Sequence, residues 1–427
     1  MRSFAITAIF AVISTVVIAT APPPSETALL GELPPCGLAC LEQEIPKSNC
    51  TATDLPCICT NKELNGLIAL CVSQSCTIRE SLTTKNVTST LCGAPVRDRT
   101  SIVSNAGIIG GVVAVFFYIL RMLSRVPQFG GGTLGLDDAV MTLVVALAIA
   151  LAALSDVLAK HGLGKDMWTV PFDDITYILY IYYFDEDIYL SILPLTKISI
   201  LLFYLRVFPQ RYFRNAAYVA IALNVGYWIA FVLVSVFQCR PINAAWLRWD
   251  GEHPAKCQNI NAQGWTSAVL NMALDILTMV LPLHELRKLT MSMRKKILVM
   301  IMFSLGIFVT LVSILRLHTL VEFSNTSNLT WDYVELGYWS TIEVDVGIIC
   351  ACLPAIRKLL WKIFPNTLGS AVRRGAKTPN YYEQRSGHSG GMIRENRRAT
   401  LEDGDAFPLV EVTTLVEVTS HTELPKV

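Results

Sequence analysis

Residues 138–159 read DAVMTLVVALAIALAALSDVLA, and their only charges are one Asp near each end. A helix needs about 20 apolar residues to cross the ~30 Å hydrocarbon core of a bilayer. This run is long enough, and it lacks the polar face of a helix that lies on a soluble domain. It therefore predicts a membrane-spanning helix.

Six other runs of the chain have a similar length and composition. In chain order the seven candidate spans lie near residues 102–122, 138–159, 186–207, 216–237, 267–286, 297–320 and 336–356. They predict an all-α bundle of seven transmembrane helices. Because seven is an odd number, the two ends of the chain should lie on opposite sides of the membrane.

The composition of the whole chain agrees with this interpretation. Of the 427 residues 52% are hydrophobic and 16% are charged, whereas roughly 25% are charged in soluble domains. The formal net charge is +1, so no overall basic field would attract nucleic acid, and we expect no nucleic-acid partner. The sequence contains no HExxH motif, phosphate loop or set of nucleophile, base and orienting residue, so we do not expect an enzyme.

Residues 1–20 have the layout of a secretory signal peptide. Arg2 precedes an apolar run, and the small residues Ala19 and Ala21 follow it. An uncleaved signal anchor is the alternative. Either form would deliver the following segment to an oxidising compartment, where cysteines can pair.

Most of the cysteines are clustered directly after this leader. The cluster comprises Cys36, Cys40, Cys50, Cys57, Cys59, Cys71, Cys76 and Cys92. So short a segment cannot rely on an apolar core, and disulfides would replace burial. The count alone leaves the pairing open. Zinc binding is the competing interpretation, but the leader and the absence of two CxxC pairs argue against it.

Two motifs of this segment carry a family resemblance. They are Pro35-Cys36-Gly37-Leu38-Ala39-Cys40 and Asp54-Leu55-Pro56-Cys57-Ile58-Cys59. With the later cysteines they resemble the CFEM domain, an eight-cysteine module of fungal extracellular membrane proteins. The resemblance implies a small, disulfide-stapled helical domain over residues 21–100. The pairs that it implies are Cys36–Cys76, Cys40–Cys71, Cys50–Cys57 and Cys59–Cys92.

The same resemblance raises the question of haem. In haem-binding CFEM domains an Asp shortly before the CxC motif is the axial ligand of ferric iron, and Asp54 occupies that place. A carboxylate is a hard ligand that suits Fe(III). The alternative is that Asp54 only caps the turn before Pro56. Haem is thus a candidate cofactor, with Asp54 as the candidate iron ligand.

Loop charges and sugar acceptors predict the orientation. Lys and Arg, among them Arg121 and Arg125, are concentrated in the loops that would be cytoplasmic if the cysteine cluster is outside. The N-x-[ST] sequons at Asn86, Asn325 and Asn328 fall on the other side. We therefore expect the cysteine-rich domain outside and the tail inside. The outer pair Cys239 and Cys257 should form a further disulfide.

Several spans contain ionisable residues, which are costly in hydrocarbon and usually face the interior of a bundle. The candidates for a buried network are Lys197, Asp275, Arg316 and Glu343. The natural ion pairs are Lys197–Asp275 and Arg316–Glu343. One interpretation is a packing lock that fixes the helix register, and the other is a ligand pocket or a switch.

Strings within the spans carry a second resemblance. They include Asp137-Asp138, Gly162-Leu163-Gly164, TKISILLFYLR over residues 196–206, and Trp339-x-x-x-Glu343. They resemble the rhodopsin-like seven-helix domain of fungal GPCR-like proteins, over residues 101–365. The resemblance implies a plasma-membrane receptor for an extracellular cue, with a cytoplasmic signalling partner such as a G protein. Residues 336–356 contain no lysine for retinal, so light sensing is not expected.

The tail, residues 366–427, has the polar composition of a disordered cytoplasmic segment. Basic residues near its start can contact anionic membrane lipid. The leading hypothesis is therefore a GPCR-like cell-surface receptor. The alternative is a membrane-anchored CFEM protein that captures haem or iron.

Overall fold

The computed structural model describes residues 31–51, 53–127, 133–288, 293–323, 326 and 328–363. The predicted signal peptide, Asn325 and the predicted tail from residue 366 lie outside the described residues. Within the described part, the chain is helical almost throughout, as the sequence predicted.

The cysteine-rich domain consists of four helices. These are α1 (Pro35–Glu44), α2 (Leu55–Thr60), α3 (Lys62–Ser75) and α4 (Ile78–Leu91). Side chains fix their starts: Asn61 accepts a hydrogen bond from the backbone of Leu64, and Thr77 and Glu80 form a capping box at α4. The core is small, with Leu64, Ile68 and Val72 of α3 packed together with the buried Cys40 and Cys50.

Disulfides connect this small core. The structure contains Cys36–Cys76, Cys40–Cys71, Cys50–Cys57 and Cys59–Cys92, the same four pairs that the resemblance implies. The first two join α1 to α3 or its end, and the last ties α2 to the end of α4. Each pair closes a loop in a domain whose apolar core alone is small, which is how disulfides stabilise such domains.

Long helices form the rest of the described chain. In order they are α5 (Thr100–Leu123), α6 (Leu136–Lys160), α7 (Phe172–Val207), α8 (Arg211–Val236), the short α9 (Ala244–Leu247), α10 (Ile260–Lys288), α11 (Met293–Phe323) and α12 (Leu329–Ile363). Six helices in the described part are long and apolar enough to cross a membrane. A shorter apolar stretch, Gly306–Val321, lies in α11. The protein is thus a multi-pass membrane protein.

The surface of these helices supports a membrane environment. Ile109 and Val112 of α5 are 64% and 63% exposed, and Val219 of α8 is 60% exposed. Soluble proteins rarely expose large contiguous apolar faces, whereas lipid covers them. In the interior, Val144, Ile192 and Ile348 of three different helices pack in one fully buried cluster.

The third predicted span proved longer than expected. Its helix, α7, begins at Phe172, fourteen residues before the predicted start at 186. The extra turns carry Tyr182 and Asp185 into the bundle, next to Glu186 at the predicted start. The acidic residues of these extra turns interrupt the apolar pattern, and for this reason the span was predicted to start later.

The loop between α8 and α10 contains a two-stranded hairpin. Strand β1 (Cys239–Arg240) pairs with β2 (Lys256–Cys257), and the two cysteines opposite each other form a disulfide. Two 3₁₀ turns, Met167–Thr169 and Arg248–Asp250, lie in the loops on the same side as the cysteine-rich domain. These turns matter because the domain contacts them.

Candidate functional site

Helix α4 of the cysteine-rich domain lies directly on the loops of the bundle. Nη2 of Arg79 is 2.9 Å from Oδ2 of Asp250, whose side chain is buried. The guanidinium also lies 5.6 Å from the ring centres of both Phe172 and Trp249. An ion pair combined with two cation–π contacts holds one side chain of the domain in a defined place on the bundle.

Other residues of α4 extend this interface. Leu82 of α4 packs against the same buried cluster of bundle residues as Tyr333 of α12. Nζ of Lys85 lies 5.6 Å from the ring centre of Trp168. Gly251 has φ +76°, and a Cβ there would meet the Ile78 side chain at 3.3 Å. The sequence analysis did not predict this docking.

The segment that links the domain to α5 is also fixed. Arg97 donates from Nε to Oδ2 of buried Asp166 at 3.1 Å, and its guanidinium lies 4.2 Å from the ring centre of Trp331. The backbone of Arg99 donates to Gly164 at 2.8 Å. A Cβ at Gly164 would lie 2.7 Å from a backbone nitrogen, and φ there is +110°, so only glycine suits this approach.

The pKa of Asp250 reflects its surroundings. Burial raises this pKa, but hydrogen bonds from the backbone of Glu252, from Arg79 and from His253 lower it, and the net value lies below that of an ordinary carboxyl group. Asp250 is therefore held as the anion that the Arg79 contact needs.

Inside the bundle, the buried carboxylate of Glu343 collects polar groups from several helices. Oε2 accepts a hydrogen bond from the Tyr189 hydroxyl at 2.5 Å and lies 3.9 Å from Nη1 of Arg316. Oε1 accepts from Ser313 at 2.5 Å and from Nδ2 of Asn271 at 3.1 Å. The Arg316 guanidinium lies 4.2 Å from the ring centre of Tyr189.

Asn271 connects this cluster to the second ion pair. Its Oδ1 accepts a hydrogen bond from Nζ of Lys197 at 2.6 Å, and the same Nζ lies 3.1 Å from Oδ1 of Asp275. The structure therefore brings Lys197, Asp275, Arg316 and Glu343 into one network, which we call the buried polar network. Sequence reasoning missed Asn271, Tyr189 and Ser313. Asn271 precedes Asp275 by one helical turn, and that spacing was the available signal.

Two cavities adjoin the buried polar network. The outer cavity, of about 100 Å³, is on the side of the docked domain, and its lining includes Tyr182, Asp185, Glu186, Tyr189 and Arg316. The inner cavity, of about 90 Å³, is lined among others by Lys197, Asp275 and Glu343. The network thus separates two spaces that a small molecule or water can enter.

A second charged cluster lies at the other end of the bundle. Arg121 is fully buried, with Nη2 2.8 Å from Asp137 and Nε 2.9 Å from Asp138. Its Nη1 donates to the carbonyl of Ala351 in α12 at 2.7 Å. Arg125 contacts the same two carboxylates. The sequence predicted both arginines to be basic loop residues on the cytoplasmic side. In the structure their charges are neutralised by acidic partners.

The remaining candidate residues are distributed over both regions. Asp54 is exposed, and its Oδ1 accepts a hydrogen bond from the backbone of Cys57 at 3.1 Å, as the capping interpretation requires. Among the described residues, a grouping close enough for a metal consists of Cys36, Cys76 and Glu80, but its two sulfurs form a disulfide. Cys350 and Cys352 of α12 are unpaired thiols.

The two described sequons differ in their surroundings. Asn86 is exposed on α4. Asn328 is half-buried, and its Nδ2 donates to Oδ1 of Asp166 at 2.8 Å while its Oδ1 accepts from the backbone of Met167. A glycan would be attached at that same nitrogen. Glycosylation of Asn328 and this hydrogen bond therefore compete.

Comparison with known proteins adds relatives to this geometry. A SAT4 family membrane protein of Emericella nidulans is 33% identical over 46% of this chain and 50% of its own length. The polyenoic acids biosynthesis gene cluster protein Ba17b of Metarhizium anisopliae is 27% identical over 72% of this chain and 90% of its own length. The receptor GIN3 of Arthrobotrys oligospora is 29% identical over 44% and 47%, respectively.

The match thus spans about half the length of two of these three relatives. No solved structure matches the chain. Residues 29–93 match the model of the CFEM domain. Residues 120–362, more than half of the chain, match the model of the fungal rhodopsin domain. The protein therefore belongs to the fungal rhodopsin domain family and carries a CFEM domain ahead of that domain.

Proposed function

We propose that this protein is a cell-surface receptor whose CFEM domain and outer cavity detect an extracellular cue. Seven helices cross the membrane, with the CFEM domain outside and the tail in the cytoplasm. The count of long helices, the excess of basic residues in the predicted inner loops and the disulfides of the outer parts support this arrangement.

One observation carries the proposal: the CFEM domain is coupled to the buried polar network by a series of contacts. Leu82 of α4 and Tyr333 pack against one cluster. Tyr333 stacks on Tyr182, with ring centres 4.3 Å apart. Tyr182 and Arg316 line the same cavity, and Arg316 contacts Glu343. A change at the domain can thus alter the network.

The network has the properties of a switch. The Arg316–Glu343 distance of 3.9 Å is long, whereas the hydroxyls of Tyr189 and Ser313 are close to the same carboxylate. Arg316 can therefore move without leaving Glu343 unsatisfied. Buried charges have few alternative partners, so such movement occurs between discrete arrangements. The relative named receptor GIN3 supports the same class of function.

A recruitment experiment tests the proposal. A proximity-labelling enzyme is fused to the tail of the full-length protein, and cells are exposed to a panel of soluble and surface cues. We expect at least one cue to change the set of labelled cytoplasmic proteins. Glu343→Gln should abolish the change at an equal surface level, because it removes the charge that faces Arg316.

Glu335→Gln is the matched control. It makes the same chemical change on α12, but Glu335 is exposed, and its ion-pair partner among the described residues is Arg99 at 3.3 Å. Cue-dependent labelling should persist in this variant. Labelling that never depends on a cue, or that Glu343→Gln leaves intact, would contradict the switch.

Haem capture is a second candidate function. Its support is that Asp54 is exposed and that the backbone of Cys57 occupies only its Oδ1, so one carboxylate oxygen remains to hold ferric iron. Haem would supply that iron centre. Neither cavity described above lies in the CFEM domain, and Leu67 and Leu70 offer exposed apolar surface there instead.

Haem titration of the full-length protein tests this candidate. Asp54→Asn is the informative variant, because Asn also caps helices well and keeps the fold while it removes the anionic ligand. We expect a Soret shift in the wild type that Asp54→Asn abolishes. The absence of a shift in the wild type would rule out haem capture.

A further inference from the structure

We infer that the outer cavity binds a small organic cation, an alkyl- or arylammonium ion, through Asp185 and Glu186. This inference rests on the proposed receptor function and names the chemical class of its ligand. The outer cavity adjoins the docked CFEM domain through Tyr333, so it is placed where an extracellular ligand would have to act.

The charges around the outer cavity do not balance. Its charged lining residues are Asp185, Glu186 and Arg316. Arg316 already has an ion-pair partner, Glu343 of the buried polar network. In the part of the chain that the structure describes, neither Asp185 nor Glu186 has an ion-pair partner, and Oδ1 of Asp185 is buried without a hydrogen bond.

Such an imbalance is costly inside a membrane protein. Charged groups that are partly withdrawn from water in a helix bundle are normally paired, because their desolvation is unfavourable. Two clusters elsewhere in this bundle follow the rule: Lys197 pairs with Asp275, and Arg121 pairs with Asp137 and Asp138. A cationic ligand would supply the missing charge at Asp185 and Glu186.

The rest of the lining distinguishes an organic cation from a metal ion. Hard metal ions require several oxygen ligands around one point. This cavity instead has tyrosine rings, including Tyr182 and Tyr338, and aliphatic side chains such as Leu190 and Leu336. Aromatic faces attract ammonium groups, and the aliphatic wall suits their hydrocarbon part. A volume of about 100 Å³ favours a small ligand.

Ligand binding would also reach the buried polar network. Tyr189 lines the outer cavity, and its hydroxyl donates to Glu343. A cation at Asp185 and Glu186 would repel the nearby guanidinium of Arg316 toward Glu343. The ligand would thereby act on the ion pair that the proposed switch uses.

The probes are a series of primary ammonium ions, from n-propylammonium to n-octylammonium with phenethylammonium, each compared with its neutral alcohol. The full-length protein is purified in nanodiscs, and binding is followed by thermal stabilisation and calorimetry. We expect at least one ammonium ion to stabilise the protein saturably and to bind about tenfold or more tightly than its alcohol, because only the ammonium ion pairs with the carboxylates.

Asp185→Asn and Glu186→Gln, singly and together, should remove this preference. Asp187→Asn is the matched control: Asp187 lies on the same helix and also has a buried, unpartnered Oδ1, but it does not line the cavity. The preference for the ammonium ion should survive in that variant. This result would show that loss of a nearby charge outside the cavity does not remove the preference.

Other outcomes overturn the inference. No stabilisation by any ammonium ion, or equal stabilisation by the alcohols, means that the carboxylates are neutralised by protons. Stabilisation by Na⁺ or Ca²⁺ alone that Glu186→Gln abolishes means a metal site. This assay measures ligand binding, whereas the recruitment assay measures signalling. A negative result for ammonium ions therefore does not decide the result of the recruitment assay, which tests the receptor function.

Discussion

At the scale of single residues, the buried carboxylate of Glu343 contacts polar groups from several helices. It is 1% exposed and accepts hydrogen bonds from Tyr189, Asn271 and Ser313, which belong to α7, α10 and α11. One carboxylate therefore joins α12 to three other helices. Its position is fixed by partners that are far apart in the sequence.

Replacement of this side chain should be strongly destabilising. Glu343→Ala leaves Arg316 buried without its counter-charge and removes the acceptor for three donors, which we expect to cost about 3–5 kcal/mol. Denaturation of the purified protein in micelles measures the loss. The double variant Arg316→Gln/Glu343→Gln removes both charges. Its loss of unfolding free energy should therefore be smaller than the summed losses of Arg316→Gln and Glu343→Gln alone. Strict additivity would show that the two residues are not coupled.

Sequence reasoning found the charged members of this network and missed the neutral ones. Lys197 and Glu343 were recognisable because ionisable groups in an apolar run are rare and costly. Asn and Ser are common in membrane helices, so a single sequence marks Asn271 only weakly, by its one-turn spacing from Asp275, and does not mark Ser313. Their role depends on which helices become neighbours, and that is decided by the fold.

The contact between Arg79 and Asp250 should depend on pH. The net pKa of Asp250 is lowered in the folded protein, so its charge stabilises docking above the unfolded-state pKa of about 4, and this stabilisation is lost as the pH falls through the folded value. Hydrogen exchange of α4, corrected for intrinsic rates, should show lower protection below about pH 4 than at neutral pH. In Asp250→Asn this acid-dependent change should be reduced. His253 and Glu252, which also face the contact, should be replaced in turn as checks.

At the scale of elements, α4 is part of two structures at once. It closes the CFEM domain through the Cys59–Cys92 disulfide, and it contacts the bundle loops through Arg79 and Leu82. The first role was implied by the resemblance of the cysteine segment to the CFEM domain. The sequence did not predict the second, because cation–π contacts and ion pairs between distant segments leave no periodic pattern in a sequence.

Loss of the Arg79 side chain should loosen α4 without unfolding the bundle. Arg79→Ala removes the ion pair with Asp250 and both cation–π contacts, so we expect several-fold faster hydrogen exchange in α4 and in the turn Arg248–Asp250. Lys62→Ala removes a similar charge from an exposed site of the same domain and is the control. Equal exchange in both variants would mean that Arg79 does not hold the domain in place.

At the scale of the whole molecule, the sequence predicted the membrane class, the helical domains and the family. Long apolar runs and cysteine spacing are local patterns, so they can be recognised in the sequence without knowledge of which segments become neighbours in the fold. The start of α7 was placed too late because acidic residues ahead of residue 186, among them Asp185, interrupt the local apolar pattern, although the helix continues through them.

The orientation can be tested by glycosylation. We expect the full-length protein, expressed in a eukaryotic secretory pathway, to carry a glycan at Asn86, which is exposed on the domain predicted to lie outside. Asn86→Gln should reduce an endoglycosidase-sensitive mobility shift by the size of one glycan. Asn328→Gln should change it little, because the amide of Asn328 is engaged with Asp166. A new sequon placed in the tail should stay unmodified, and its modification would reverse the orientation.

The fixed linker at Arg97 and Arg99 has a consequence for protein engineering. A cut at the boundary between residues 100 and 101 looks natural in the sequence, yet it separates Arg97 from Asp166 and the backbone of Arg99 from Gly164. A chimera that exchanges only the CFEM domain between relatives would lose these contacts. A functional exchange should therefore transplant the loop around residues 162–169 and the turn around 246–251 together with the domain.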